Sequence, residues 1–290
     1  MTDALSSGKG HRDENFPVAS WLIARRRRRP VLAFYRVARL ADDIADHPTA
    51  PADEKLARLA AIEASLTGED ESVEPAAVLR HVMAERHLSP QHVLDLLTAF
   101  RRDVTQQRYA DWGELMDYCR YSAAPVGRFV LEVHGEPSTT WPANDALCSA
   151  LQVINHLQDC AKDYRNLGRV YVPEDALAAQ GASIAALSAD RASPALRATI
   201  GGLARRTLSL LEVAEPLAGQ VRDRRLRLEI GVIQALAVDL ARRLTRRDPL
   251  SERVHHTRLE MAQRACLGAW RALTIAGGSA NRMSGAIGDA

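Results

Sequence analysis

An all-α fold in one domain is the architecture this sequence predicts. Three observations predict it. Apolar residues recur at intervals of three and four along nearly the whole chain, and no stretch alternates in the strand pattern. Ala, Leu, Val and Arg dominate, while aromatics make up only 5%, a mix that favours helix over sheet. The connections between periodic segments are short, no fixed 30–45-residue repeat suggests a solenoid, and 290 residues suit a large helical domain.

The elements follow in order. "RPVLAFYRVARLADDIAD" carries Val31, Phe34, Val37, Ala38, Ala41, Ile44 and Ala45 on one face, with Pro30 as a first-turn residue and Pro48 as a stop. "PADEKLARLAAIEASLTG" is a second helix, ended by Gly68, and "EPAAVLRHVMAERH" a third. "SPQHVLDLLTAFRRDV" opens with a Ser cap and a Pro at the first helical position. "DWGELMDYCRYSAAPVGRFVLEVHG" is a long apolar segment that Pro125 kinks. "NDALCSALQVINHLQDCAKDYRNLG" is a helix capped by Asn144 and closed near Gly168. Three further helices are expected in "SPALRATIGGLARRTLSLLEVAEPLAG", "RDRRLRLEIGVIQALAVDLARRLTRR" and "HHTRLEMAQRACLGAWRAL". The domain spans 11–276, and the Gly/Ser-rich ends, 1–10 and 277–290, are expected to be mobile.

Composition narrows the function classes. Thirty-eight basic residues against 36 acidic ones leave a net charge of +2, too balanced for a general nucleic-acid binder. Four cysteines without a CxxC pair read as idle thiols in a reducing compartment. "MTDALSSGKGHRDENFP" has no signal-type apolar core, and no stretch approaches a membrane span.

Two acidic patterns stand out. Asp42 and Asp46, four residues apart, share one helix face, although acids at a C-terminal turn oppose the helix dipole. Asp43 points about 100° away and should matter less. A solvated acidic patch is the alternative for this stretch alone. Asn155, Asp159 and Asp163 form a second polar line at i, i+4, i+8, which Gln152 extends. Two such lines in one helical domain suggest facing clusters with a cation between them. All-oxygen donors favour Mg²⁺, or Mn²⁺, over zinc. Mg²⁺ held by few carboxylates shares its shell with water and phosphate, so a diphosphate ligand is implied, with Arg39 and Arg169 as candidate partners. Neither an EF-hand nor a P-loop pattern is present.

The small residues Ala123, Ala124 and Gly127 suit an apolar cavity wall, or tight helix packing. Tyr118 and Tyr121 could stabilise a cation or position a proton donor, or sit at the core edge. The run Arg25, Arg26, Arg27, Arg28 and Arg29 reads first as a solvated turn before Pro30, next as a patch for anionic lipid, last as a nucleic-acid contact. His255 and His256 lack metal-type spacing and read as surface residues.

With "YRVARLADDIAD", "YCRYSAAPVG" and "NHLQDCAKDYRNLGRVYVP" in view, residues 11–270 strongly resemble the squalene/phytoene synthase family of head-to-head prenyltransferases. "HRDENFPVAS", "ADDIADHP" and "RDPLSERVH" are most like its bacterial hydroxysqualene synthase branch of hopanoid biosynthesis. The resemblance implies an all-α isoprenoid synthase fold, a single-domain helical bundle around a central apolar cavity, and Mg²⁺ bound by Asp42, Asp46, Asn155, Asp159 and Asp163. It places Tyr35, Arg39, Gln152, Arg169, Tyr171 and Arg253 around the diphosphate. Tyr118 matches a tyrosine of the cation rearrangement, and Ala123, Val126 and Gly127 match cavity-lining positions. The implied reaction takes presqualene diphosphate and water to hydroxysqualene, without NAD(P)H. Condensation of two farnesyl diphosphates is the alternative within the family, and a non-enzymatic module binding membrane or nucleic acid through Arg25 to Arg29 the alternative outside it. The chain departs from relatives at "RDENF", where others carry His and Ser, and in "QALAVDLARRL", which lacks a Tyr. A C30 product implies release into a membrane, hence a cytoplasmic enzyme peripheral at the inner face. Its functional neighbours would be a presqualene diphosphate synthase and a hydroxysqualene reductase.

Overall fold

The first helix, α1 (Arg25–Ala45), begins a turn and a half before Pro30, so the arginine run is helical rather than a turn. A proline inside a helix leaves the carbonyl four residues earlier without its N–H. Here that carbonyl, of Arg26, accepts from Arg86 Nη2 at 2.7 Å, which removes the objection to an early start. The run is also tied down: Arg27 pairs with Asp223, and Arg29 with Glu85 at 2.9 Å.

The computed structural model describes residues 24–284, without the side chains of Arg25 and of 275–284. Among these residues there are helices and no strand. After α1 come α2 (Ala52–Thr67), α3 (Glu74–Arg86), α4 (Gln91–Thr105), α5 (Trp112–Ser122), α6 (Ala124–His134), α7 (Trp141–Leu167), α8 (Glu174–Ala179), α9 (Pro194–Ala214), α10 (Leu217–Gln220), α11 (Arg224–Leu244) and α12 (Arg258–Ser284). The short α8 and the 3₁₀ turn Ile184–Ser188 are too brief to leave a periodic signal. The expected mobile ends at 1–10 and 285–290 lie outside the described residues, as does "HRDENF"; α12 itself runs past 277.

Local chemistry explains the boundaries. Gly68 and Gly168 end α2 and α7 in the left-handed conformation, φ 88° and 67°, which a side chain resists. Ser89 accepts from Gln91 N at 3.1 Å and Ser193 from Leu196 N at 3.2 Å. Thr257 and Glu260 reciprocate as a capping box at the start of α12. Asn144 is not a cap. The helix α7 starts three residues earlier, with Pro142 in its first turn, and buried Asn144 donates to Ala124 O at 3.4 Å instead. The kink expected at Pro125 is a full break at Ala123, with Pro125 in the first turn of α6.

Two apolar cores result. One gathers α1 to α4 around Leu59, Ile62, Leu79 and Leu97, closed by Phe129, which stacks on Phe34 at 4.3 Å between ring centres. The larger gathers the later helices around α7, including Ile154, Leu157, Leu196 and Leu240. The helices α1 and α4 from the first core and α5, α6 and α7 from the second enclose the cavity described next.

Candidate active site

The cavity, of about 330 Å³, carries both acidic lines on its wall. Asp42 and Asp46 come from α1, and Asn155, Asp159 and Asp163 from α7, joined by Gln152. Tyr35 and Arg39 from α1, Tyr118 from α5, Val126 from α6, and Arg169 and Tyr171 just beyond α7 also line it, as expected. Leu96, Ala99, Phe100 and Leu167 supply apolar wall.

Gly168 turns the chain so that Arg169, 6% exposed, reaches back to α1. Its Nη1 donates to Asp46 Oδ1 at 2.5 Å, its Nη2 to Ala45 O at 2.9 Å, and its Nε to Asp103 O at 3.0 Å. Three of the five guanidinium donors thus clasp the end of α1 to α4, so Arg169 holds the carboxylate wall as well as facing the cavity. Arg39 donates to Asp42 at 2.7 Å and to Asp43 at 2.8 Å. Asp43 is off the cavity wall and accepts from Arg39, which it helps to orient.

Carboxylates here are crowded and partly desolvated. Burial, then the charge of Asp46, push the Asp42 carboxyl up to about 7, against the opposing pull of Arg39. Its side chain keeps 37% of its surface open, so water in the cavity screens part of this effect. A cation beside Asp42 and Asp46 would relieve the repulsion, and the donors on both walls are hard oxygens that suit Mg²⁺.

Beside the acids lies an aromatic and polar cluster. The Tyr118 and Tyr171 hydroxyls both donate to buried Asp103, at 3.0 and 2.8 Å. Burial pushes the Asp103 carboxyl up, while Arg169 and the two hydroxyls hold it down. His156 stacks on Tyr171 at 3.6 Å and meets Gln152 Nε2 at 3.0 Å. Sequence reasoning missed Asp103 and His156. Asp103 had a signal: it continues the apolar i, i+3, i+4, i+7 stripe of Leu96, Ala99 and Phe100, where a solvated acid would be out of place. His156, four residues after Gln152, had none beyond that spacing.

Three expected residues stand off the wall. Ala123 is buried beside it. Gly127 faces α7: a Cβ there would collide with Asn144 Oδ1 and lie 2.5 Å from Cys148 Sγ, so its smallness serves helix packing. Arg253 is exposed, on the loop that Asp248 organises by accepting from Ala192 N, Leu250 N and the Ser251 hydroxyl. One further expectation changes, and one alternative is selected. His256 is not a surface residue but meets Asp239 at 3.0 Å, and His255, half-buried, lies 3.3 Å from Gln158. Tyr121 is half-buried and packs against the larger core, off the cavity wall. Cys119 and Cys160 are buried free thiols that burial pushes up to about 12, as idle thiols should be.

Comparison with known proteins agrees with this geometry. The squalene/phytoene synthase family model matches residues 10–260. The chain is 58% identical to a hydroxysqualene synthase of Rhodopseudomonas palustris over 88% of both chains. It is 53% identical to one of Sinorhizobium fredii, over 89% of this chain and 90% of that one. It superposes on the crystal structure of a squalene synthase from Alicyclobacillus acidocaldarius with TM-score 0.70 and 32% identity, covering 79% of this chain and 87% of that one. With the matched model and the two acidic helices on one cavity, the chain belongs to the squalene/phytoene synthase family, enzymes that act on isoprenoid diphosphates.

Proposed function

We propose that the chain converts presqualene diphosphate and water to hydroxysqualene and diphosphate. The observation that carries this reading is the 53–58% identity, over nearly the whole length, to enzymes named for that product. Asp42 and Asp46 on one wall, and Asn155, Asp159 and Asp163 on the other, are the residues that would hold Mg²⁺, or Mn²⁺ in its place. Mg²⁺ held by so few carboxylates would fill its remaining positions with substrate phosphate and water. A cation held there would supply charge neutralisation for the departing diphosphate.

The chain's own residues do the rest. Arg39, oriented by Asp43, and the remaining donors of Arg169 bind diphosphate oxygens. Tyr35 and Gln152 border the same end. Loss of diphosphate leaves a cyclopropylcarbinyl cation in the apolar part of the cavity. There Tyr118 and Tyr171, fixed by Asp103, present ring faces that stabilise positive charge during rearrangement. Capture by water needs no hydride, hence no NAD(P)H. Arg253 closes on the diphosphate only if its loop moves.

A C30 alcohol partitions into lipid, and the chain rests on the cytoplasmic membrane face without crossing it. No helix of the described residues is long and apolar enough to span a bilayer. The support is on α12, whose outward face exposes Leu259, Trp270 and Leu273. Functional neighbours are a presqualene diphosphate synthase upstream and a hydroxysqualene reductase downstream.

The test is incubation of the pure protein with Mg²⁺ and either presqualene diphosphate or farnesyl diphosphate, without NADPH. Hydroxysqualene from presqualene diphosphate alone is expected. A chain that yields no C30 alcohol, or that only condenses farnesyl diphosphate, is not this enzyme.

A further inference from the structure

Six arginines, Arg205, Arg242, Arg243, Arg246, Arg247 and Arg264, line a basin of about 660 Å³ formed by α9, α11, the turn after α11, and α12. It shares no lining residue with the active-site cavity. Asp239, the carboxylate on its wall, is already engaged. It accepts from Arg243 at 2.7 Å and from Arg264 at 2.8 Å, and meets His256 at 3.0 Å. Arg243 also pairs with Glu260 at 2.7 Å, and Arg247 with Glu252 at 2.6 Å. Six arginines against these three carboxylates leave three positive charges. They fall on Arg205, Arg242 and Arg246, which are exposed and whose guanidinium groups have no ion-pair or hydrogen-bond partner among the described residues. Like charges held together repel, so the basin favours an anionic partner.

Leu208 and Arg242 also line a second cavity, a slot of about 290 Å³, so the two adjoin. Leu211, Ala235, Val238 and Ala272 give the slot an apolar wall. Its carboxylates, Glu212 and Glu215, lie one and two turns beyond Leu208, away from the basin. From Arg242 to Gly231 the slot follows α11 for about 16 Å. A free phosphate or diphosphate would occupy the basin and make no use of the slot. A single-stranded nucleic acid would need aromatic side chains to stack on, and none lines the basin. A phosphate that carries a hydrocarbon chain uses both. The helix that supplies Arg264 and Arg271, α12, also exposes Leu259, Trp270 and Leu273.

Resting on the membrane contact proposed above, we propose that basin and slot together bind an anionic phospholipid of the membrane surface. Its phosphate sits among Arg205, Arg242 and Arg246, and its chain lies along the slot. The basin thereby makes the membrane contact selective for anionic lipid, which the apolar residues of α12 alone would not.

The test is flotation of the full chain with vesicles of phosphatidylcholine alone and of an equal mixture with phosphatidylglycerol. The wild type should bind the mixed vesicles far better than the neutral ones. Arg205→Gln, Arg242→Gln and Arg246→Gln combined should weaken binding to the mixed vesicles at least about tenfold. A control with Arg58→Gln, Arg80→Gln and Arg101→Gln removes the same charge from α2, α3 and α4 and should bind as the wild type does. Both variants are compared as folded protein, their melting temperatures measured first. A basin variant that floats like the wild type, or a control that loses as much as it does, overturns the inference. So does a wild type that binds neutral vesicles equally well, which leaves the membrane contact standing. A wild type that binds neither vesicle removes the membrane contact itself, and the inference with it.

Discussion

Asp42 shows how a single side chain carries the site's physics. A folded chain keeps its proton up to about 7, whereas the ordinary carboxyl releases it at 3.8. Folding therefore takes up a proton between those limits, and this group's contribution to stability falls as pH rises through that window. Cation-free protein should melt at a lower temperature at about pH 8 than at about pH 5.5, and Asp42→Asn should flatten that slope. Mg²⁺ should raise the melting temperature more at the higher pH, because the ionised carboxylate is the ligand. Equal slopes in wild type and Asp42→Asn, measured by scanning fluorimetry, would contradict this reading. With substrate, Asp42→Asn should lower turnover by about 100-fold or more. The two acidic lines were legible in the sequence because i, i+4 spacing is local. His156 was not, because what marks it is its stacking on Tyr171, which only tertiary packing decides.

At the scale of elements, helix identity was legible and helix ends less so. Gly68 and Gly168 stop helices through their own backbone freedom, a property of the residue itself. Pro30 misled because the carbonyl it orphans is satisfied by Arg86, sixty residues from Arg26 in the chain. Asn144 misled because its amide serves α6, not its own helix. The Asn144 contact and Gly127 belong to one crossing, where α6 and α7 approach closely enough to set Val126 on the cavity wall. Gly127→Ala should force the helices apart and destabilise the fold by about 1–3 kcal/mol. Thermal or urea unfolding checks this, and a variant as stable as wild type would show that the crossing can relax. The ion pair of Arg27 with Asp223 ties α1 to the start of α11, which explains why an arginine run so conspicuous in sequence is partly committed to packing.

Across the whole molecule, the cavity lies where α1 and α4 of one core meet α5, α6 and α7 of the other, and Arg169 joins the two sides. In the proposed reaction the diphosphate would meet the acidic walls and the hydrocarbon would lie against the apolar residues. The exposed Leu259, Trp270 and Leu273 on α12 are the surface through which the proposed product would pass to lipid. Vesicles containing anionic lipid should carry the protein upward in flotation, and Trp270→Ala with Leu273→Ala should reduce the bound fraction. A wild type with no bound fraction would remove membrane contact from the account. The central claim is that the two acidic helices share cations with a diphosphate. Anomalous diffraction from crystals grown with Mn²⁺ and inorganic diphosphate tests it most directly. The account predicts manganese peaks bonded to Asp42 or Asp46 and to Asn155, Asp159 or Asp163, bridged by diphosphate oxygens. Diphosphate bound in the cavity with no manganese at either wall would contradict it.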